Sequence, residues 1–137
     1  MKELDVKAEK TALPQVLGLI DEQLEANECS MKLMTQIDLA AEEIFTNIAS
    51  YAYEGEAGDV LIRVDISGEP ECVTISFTDS GRQYDPLSVP EPEKNKLPLK
   101  ERKKGGLGVF LVRKNMDDVR YEYKDGKNIL TMTKKIK

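Results

Sequence analysis

The chain contains no histidine, and this absence excludes several common kinds of active site. A Ser-His-Asp triad, a Cys-His nucleophile pair, a histidine-ligated zinc ion and a phosphoacceptor histidine all require that residue. Cysteine is nearly absent as well. The two that occur, Cys29 and Cys72, stand far apart and form no Cys-x-x-Cys pair. A zinc or dithiol motif is therefore not expected.

Long hydrophobic runs are also lacking, and no stretch approaches the ~20 apolar residues of a membrane span. The formal net charge is -5, which argues against general binding to nucleic acid or to an anionic membrane. With 137 residues, 40% of them hydrophobic, the chain has the size and balance of one domain spanning residues 1–137. We expect a soluble cytoplasmic protein with no direct nucleic-acid or membrane partner.

Apolar periodicity predicts an α+β fold. Strands are predicted near 4–8, 60–66, 73–79, 119–123 and 129–132, and helices over 13–26, 30–52 and 109–116. This order predicts a two-layer sandwich with helices on one face of a mixed, mostly antiparallel sheet. Residues 80–104 show no periodicity and are punctuated by proline, and a loop of this length is typical of a functional lid.

A first chemical cluster lies on the long second helix. Glu43 and Asn47 are four residues apart and therefore share a helix face, and the small Ala40 beside them is expected to leave open space. The amide oxygen could ligate a hard cation, and the carboxylate could take a proton. The neighbouring Glu42 meets Thr46 instead. A solvated helix edge is the structural alternative.

A second cluster, Asp79-Ser80-Gly81, stands where a hydrophobic strand ends. The Asp79 carboxylate could accept a hydrogen bond from an exocyclic amine, and Gly81 would leave room for a flat ring such as adenine. Asp, Ser and Gly are also common turn residues, so an ordinary turn is the alternative.

A third cluster, Gly105-Gly106-Leu107-Gly108, opens the third predicted helix after a basic stretch. Free backbone N–H groups at a helix start favour phosphate, and glycine allows its close approach. The cluster matches neither the Gly-x-Gly-x-x-Gly pattern nor a Gly-x-x-x-x-Gly-Lys-Ser/Thr loop. A flexible hinge is the alternative.

Together, these three clusters resemble the GHKL ATPase superfamily with its Bergerat ATP-binding fold. The closest resemblance is to the small stand-alone anti-sigma factor serine/threonine kinases of bacteria, and it covers nearly the whole chain. Glu43 to Asn47 matches that family's Glu-x-x-x-Asn motif, and Asp79 and Gly81 match its Asp-x-Gly motif. Family members often carry a histidine four residues after the motif asparagine, where this chain has Tyr51.

The resemblance implies a role for each matching residue. Asn47 would ligate Mg²⁺ on the phosphates of ATP, and Glu43 would be the general base. Asp79 would accept a hydrogen bond from the adenine amine. The glycine box Gly106-Leu107-Gly108, with Gly105 adjoining, would hold the phosphates beneath a lid over about 86–104.

The resemblance further implies the partners. The protein would phosphorylate a serine or threonine on a small STAS-type anti-anti-sigma protein and would hold a sigma factor inactive. Homodimers are common in that family, and the oligomeric state stays open here. Two alternatives remain: a nucleotide-gated binding module without kinase activity, and an α+β interaction domain that binds no nucleotide.

Overall fold

A computed structural model describes residues 1–88 and 106–136 of the chain. Most of the predicted lid, and Gly105, therefore lie outside the described residues. The strands are β1 (Lys2–Lys7), β2 (Asp59–Ser67), β3 (Cys72–Asp79), β4 (Asp118–Lys124) and β5 (Lys127–Lys135). The helices are α1 (Leu13–Ala26), α2 (Met31–Asn47) and α3 (Gly106–Asn115).

Five strands form one open sheet in the order β1-β2-β3-β5-β4. All four strand pairings in the described part of the chain are antiparallel, in line with the predicted mostly antiparallel sheet, and none of them is the parallel pairing that a mixed sheet would contain. The hairpin from β4 to β5 turns through Asp125 and Gly126, both at positive φ, as the favoured two-residue turns require. The predicted α+β class and element order are confirmed.

The core lies between one sheet face and the helices. Strand β3 buries every second residue, and Phe77 pairs in register with Ile62 of β2 and Leu130 of β5. Helices α1 and α2 cover these residues with fully buried side chains such as Ile20 and Phe45. The sheet therefore presents an apolar face to the helices, and its last inward position on β3 is Asp79.

Helix α2 begins where predicted but ends earlier as an α-helix. Ser30 caps its start, with Oγ accepting from the Leu33 N–H at 3.3 Å. After Asn47 the chain continues as one π-helical turn, Ile48–Ala52, where the sequence predicted an uninterrupted helix. The Ala52 carbonyl at the end of this turn accepts a hydrogen bond from the Arg82 N–H at 3.0 Å. This is a tertiary contact, and sequence periodicity does not encode it.

Two further expectations are corrected. Helix α3 begins at Gly106 rather than at Val109. Ala40 leaves no open space, because it is 1% exposed and packs in the core. Among residues 1–88 and 106–136, no helix is long and apolar enough to span a membrane.

Candidate functional site

A cavity of about 270 Å³ lies between the end of α2 and the ends of β3 and β5. This volume is close to the lower limit for small-molecule sites. Its apolar lining consists of Ile44, Ile48, Ala52, Phe77, Pro86 and Leu130. Its polar lining consists of Asn47, Tyr51, Asp79, Arg82, Tyr84, Tyr121 and Asn128. A cavity that combines apolar side chains with convergent polar groups suits a flat, partly polar ligand.

Asp79 is the buried carboxyl group of this cavity and is 5% exposed. Its Oδ1 atom accepts hydrogen bonds from the Gly81 N–H at 2.9 Å and from Nδ2 of Asn128 at 3.0 Å. Burial raises the pKa of Asp79, and these two donors oppose that effect by favouring the charged form. The predicted position at the strand end is correct, and the carboxylate is held to accept further hydrogen bonds.

Asn128 is a further residue of this cavity, and none of the three sequence motifs contains it. Besides donating to Asp79, its Nδ2 atom donates to the Arg82 carbonyl at 2.8 Å. Its Oδ1 atom accepts from the Tyr84 N–H at 3.1 Å and from the Tyr121 hydroxyl at 2.5 Å. The signal was present in the inward series of β5, where an asparagine precedes Leu130 and Met132 at alternate positions.

Gly81 is required by close packing against the π-helical turn. A Cβ atom at this position would lie 2.2 Å from the carbonyl oxygen of Ala52. No side chain fits such an approach to backbone, so the turn after Asp79 docks directly on the end of the α2 segment. Gly81 thus permits contact between two chain segments, and the room that it would leave for a flat ring stays a prediction.

Asn47 is half-buried at the last turn of α2 and lines the cavity, as does Tyr51 one turn later. Glu43 is half-buried one turn earlier, and Glu42 is exposed, so the structure separates two carboxylates that the helical pattern did not. Burial, followed by the charge of Glu42, raises the pKa of Glu43. Glu43 is not among the described residues that line the cavity.

The glycine cluster opens α3, whose backbone is described from Gly106 onward through Leu107 and Gly108. Helix α3 packs against α2 and contacts the short turn Pro86–Ser88. Arg113 strengthens the second contact, because its Nη2 atom donates to the Leu87 carbonyl at 2.7 Å.

Comparison with known proteins identifies related sequences. A family model described as a histidine kinase-like ATPase domain matches residues 6–134. The serine-protein kinase RsbW of Bacillus thuringiensis (strain Al Hakam) is 30% identical over 105 residues, which cover 72% of this chain and 61% of that protein. The serine/threonine-protein kinase BtrW of Bordetella bronchiseptica is 30% identical over 104 residues, covering 76% of this chain and 72% of that protein.

A solved structure supports the fold. The crystal structure of the RsbU and RsbW domains of Rv1364c from Mycobacterium tuberculosis matches with a TM-score of 0.69 at 16% identity. The match covers 99% of this chain and 33% of that one. The chain also spans only 61% of the length of the Bacillus relative.

Proposed function

The chain belongs to the histidine kinase-like ATPase domain family, and on this premise we propose that it is an ATP-dependent protein serine/threonine kinase of the anti-sigma type. Its substrate would be a STAS-type anti-anti-sigma protein, and its second ligand a sigma factor. The observation that supports the proposal most directly is that Asp79 and Asn47, taken from two separate sequence motifs, line one cavity.

The base of the nucleotide is assigned to the Asp79 end of the cavity. Asp79 is buried, and its Oδ1 atom is occupied by Gly81 and Asn128. Its second oxygen would accept a hydrogen bond from the exocyclic amine of adenine. Guanine carries a carbonyl at that ring position, and two acceptors facing each other in a buried site are unfavourable. The proposed nucleotide, which donates the phosphoryl group, is therefore ATP rather than GTP.

The phosphates and Mg²⁺ are assigned to the Asn47 end. Within the described residues no hydrogen bond occupies the Asn47 carboxamide, and an amide oxygen is a ligand that Mg²⁺ accepts, so the residue fits the ion. Bound Mg²⁺ supplies neutralisation of phosphate charge. Gly105, Gly106, Leu107 and Gly108 are proposed to donate backbone N–H groups to phosphate, with residues 86–104 as the lid over the nucleotide.

Glu43 is proposed as the general base for the hydroxyl of the partner protein. It precedes Asn47 by four residues, about 6 Å along the helix axis, on the same face. A base must be ionised to act, and its efficiency increases as its pKa approaches the working pH. Because burial raises the pKa of Glu43, phosphoryl transfer is expected to increase as the pH rises through that value.

The test is transfer of label from γ-labelled ATP to the STAS partner in the presence of Mg²⁺. Glu43→Gln keeps the shape of the side chain and removes the base, so transfer should fall by at least about a hundredfold while ATP affinity changes less than about twofold. Glu42→Gln is the matched control, because Glu42 is the adjacent exposed carboxylate. It should transfer label at the wild-type rate at a pH well above the pKa of Glu43, where the charge of Glu42 no longer affects ionisation of the base.

The outcomes separate the candidate functions. If wild type and Glu43→Gln incorporate the same negligible label while both bind ATP, the kinase assignment is wrong. A difference in partner affinity between ATP and ADP that persists in Glu43→Gln would then favour a nucleotide-gated binding module. If titration of the wild type with Mg-ATP produces no binding, the nucleotide site itself is wrong and an interaction domain without nucleotide remains.

A further inference from the structure

Tyr53 connects the segment that follows α2 to the turn that follows β3. Its hydroxyl donates a hydrogen bond to the Asp59 carbonyl at 2.6 Å and accepts one from the Ser80 N–H at 2.8 Å. Tyr53 lies six residues after Asn47, and Ser80 directly follows Asp79. One side chain therefore bridges the chain segments that carry the two ends of the cavity.

Packing fixes the tyrosine ring in this position. A Cβ atom on Gly58 would lie 2.3 Å from three ring carbons of Tyr53, so the ring lies directly against the Gly58 backbone. Burial raises the pKa of the Tyr53 hydroxyl, which therefore keeps its proton at neutral pH and can donate to Asp59. The ring and the hydroxyl are both held in place.

Two further contacts join the same segments. The Arg82 N–H donates to the Ala52 carbonyl at 3.0 Å, and Gly81 packs on that carbonyl. Arg82 and Glu54 form an ion pair at 3.5 Å between exposed side chains, which adds little stability. Of these contacts, the hydrogen bond to the Tyr53 hydroxyl is the one made by the Ser80 N–H, which belongs to the peptide group immediately after Asp79.

We propose that Tyr53 is a positioning residue that couples binding of the adenine base at Asp79 to binding of the metal and phosphates at Asn47. The inference rests on the proposed function, because it concerns how the two ends of that nucleotide site communicate. Binding of the base at Asp79 restricts motion of the Ser80 peptide group. Because this group donates a hydrogen bond to the Tyr53 hydroxyl, motion of the segment that follows Asn47 is restricted as well. Neither end needs Tyr53 as a direct ligand.

The test is Tyr53→Phe in the whole protein, which keeps the ring against Gly58 and removes the hydroxyl. Calorimetric titration with ATP, once with Mg²⁺ and once with chelator, gives the factor by which the metal increases affinity. In Tyr53→Phe the Mg-ATP affinity should fall about five- to tenfold, in line with loss of one hydrogen-bonding group, and the metal-dependent factor should shrink. Tyr123→Phe is the control, because Tyr123 is an exposed tyrosine outside the cavity lining.

A double-mutant cycle with Asp79→Asn distinguishes coupling from general destabilisation. If both residues act on one turn, Tyr53→Phe should cost less in the Asp79→Asn background than in the wild type. Fully additive losses, or an unchanged metal-dependent factor in Tyr53→Phe, would overturn the coupling while leaving ATP binding intact. Absence of ATP binding in the wild type would instead contradict the proposed function.

A measurement on the wild type guards against a variant that does not fold. The Ser80 amide should exchange with solvent at least about fivefold more slowly when Mg-ADP is bound. The reason is that the hydrogen bond from the Ser80 N–H to the Tyr53 hydroxyl then joins two segments that are both held by the ligand. Equal exchange in the free and bound protein would exclude the proposed coupling.

Discussion

The two ends of the cavity differ in how fully their polar groups are paired. At the end proposed for the base, Asp79 and Asn128 bond to each other and to the surrounding backbone. At the proposed metal end, the Asn47 carboxamide has no hydrogen-bond partner within the described residues, and neither does the Glu43 carboxylate, which lies one turn earlier on α2 outside the cavity lining. The base end is therefore organised before any ligand arrives, whereas the metal end has groups available for ligands. Selectivity for the base should depend on the first, and catalysis on the second.

The largest effect is expected at the organised end. Asp79→Asn replaces an acceptor with an amide in a buried network, so ATP affinity should fall by about a hundredfold or more, about 2.7 kcal/mol. Calorimetric titration measures the loss. Circular dichroism and thermal unfolding serve as controls for the fold. An affinity within threefold of wild type would show that Asp79 does not contact the adenine base.

Close packing at the same end should be nearly as sensitive. Gly81→Ala places a methyl group 2.2 Å from the Ala52 carbonyl oxygen, and backbone must shift to relieve the contact. Urea unfolding should show a loss of about 2–3 kcal/mol. Gly18→Ala is the matched control, because its added methyl group meets no atom within 4 Å, and in helix α1 it should gain about 0.5–1 kcal/mol. Equal stability of the two variants would contradict the close approach.

The hydrogen bond from Asn128 should control the protonation of Asp79. In Asn128→Leu the carboxyl loses a donor that favours its charged form, so its pKa should rise further above the ordinary range. ATP affinity should then be about tenfold weaker than wild type, and it should weaken more as the pH falls because the protonated form is a poorer acceptor. Titrations across the pH range check this, and a flat profile equal to wild type would exclude the role.

The metal end should show a smaller and more selective loss. Asn47→Ala removes the proposed Mg²⁺ ligand, so Mg-ATP affinity should fall about fivefold while ATP affinity in chelator stays within about twofold. The two titrations are compared with those of Asp79→Asn, which should lose affinity under both conditions. An unchanged response to Mg²⁺ in Asn47→Ala would contradict the ligand assignment.

The smallest effect on nucleotide is expected from a carboxyl pair between α1 and α2. Burial, reinforced by a hydrogen bond and the charge of Asp21, raises the pKa of Asp38 to about 8. Because the unfolded value is 3.8, the folded state retains a proton that the unfolded state releases, and stability should decline as the pH rises from about 4 to about 8.

The variant Asp38→Asn should remove this decline. At pH 8 it should be about 1–2 kcal/mol more stable than wild type, a value reduced from the full pKa shift because the pair is partly open to solvent. ATP affinity should be unchanged. Thermal unfolding across the pH range provides the measurement, and Glu42→Gln on the same helix provides the control. Parallel profiles for Asp38→Asn and wild type would show that Asp38 retains no extra proton in the folded state.

Much of the fold followed from periodicity, because burial on one face imposes period two on strands and about 3.6 on helices. The alternation of Val73, Ile75 and Phe77 predicted β3 and its end at Asp79 correctly. Periodicity could not predict the π-helical turn after Asn47, because that turn depends on which segments meet in space. The burial of Ala40 could have been predicted, because Ala40 lies three residues after Ile37 and four before Ile44 on the buried face of α2.

The sequence by itself determined the element order, the three motifs and the inward position of Asp79, since these depend on residue type and spacing along the chain. Only the tertiary structure decided that Asn128 pairs with Asp79, that Glu43 rather than Glu42 is half-buried, and that Tyr53 bridges two segments. The Tyr53–Ser80 hydrogen bond spans 27 positions of the chain and the Asp79–Asn128 bond spans 49, so both depend on strand register and helix docking. Those are fixed when the whole core packs.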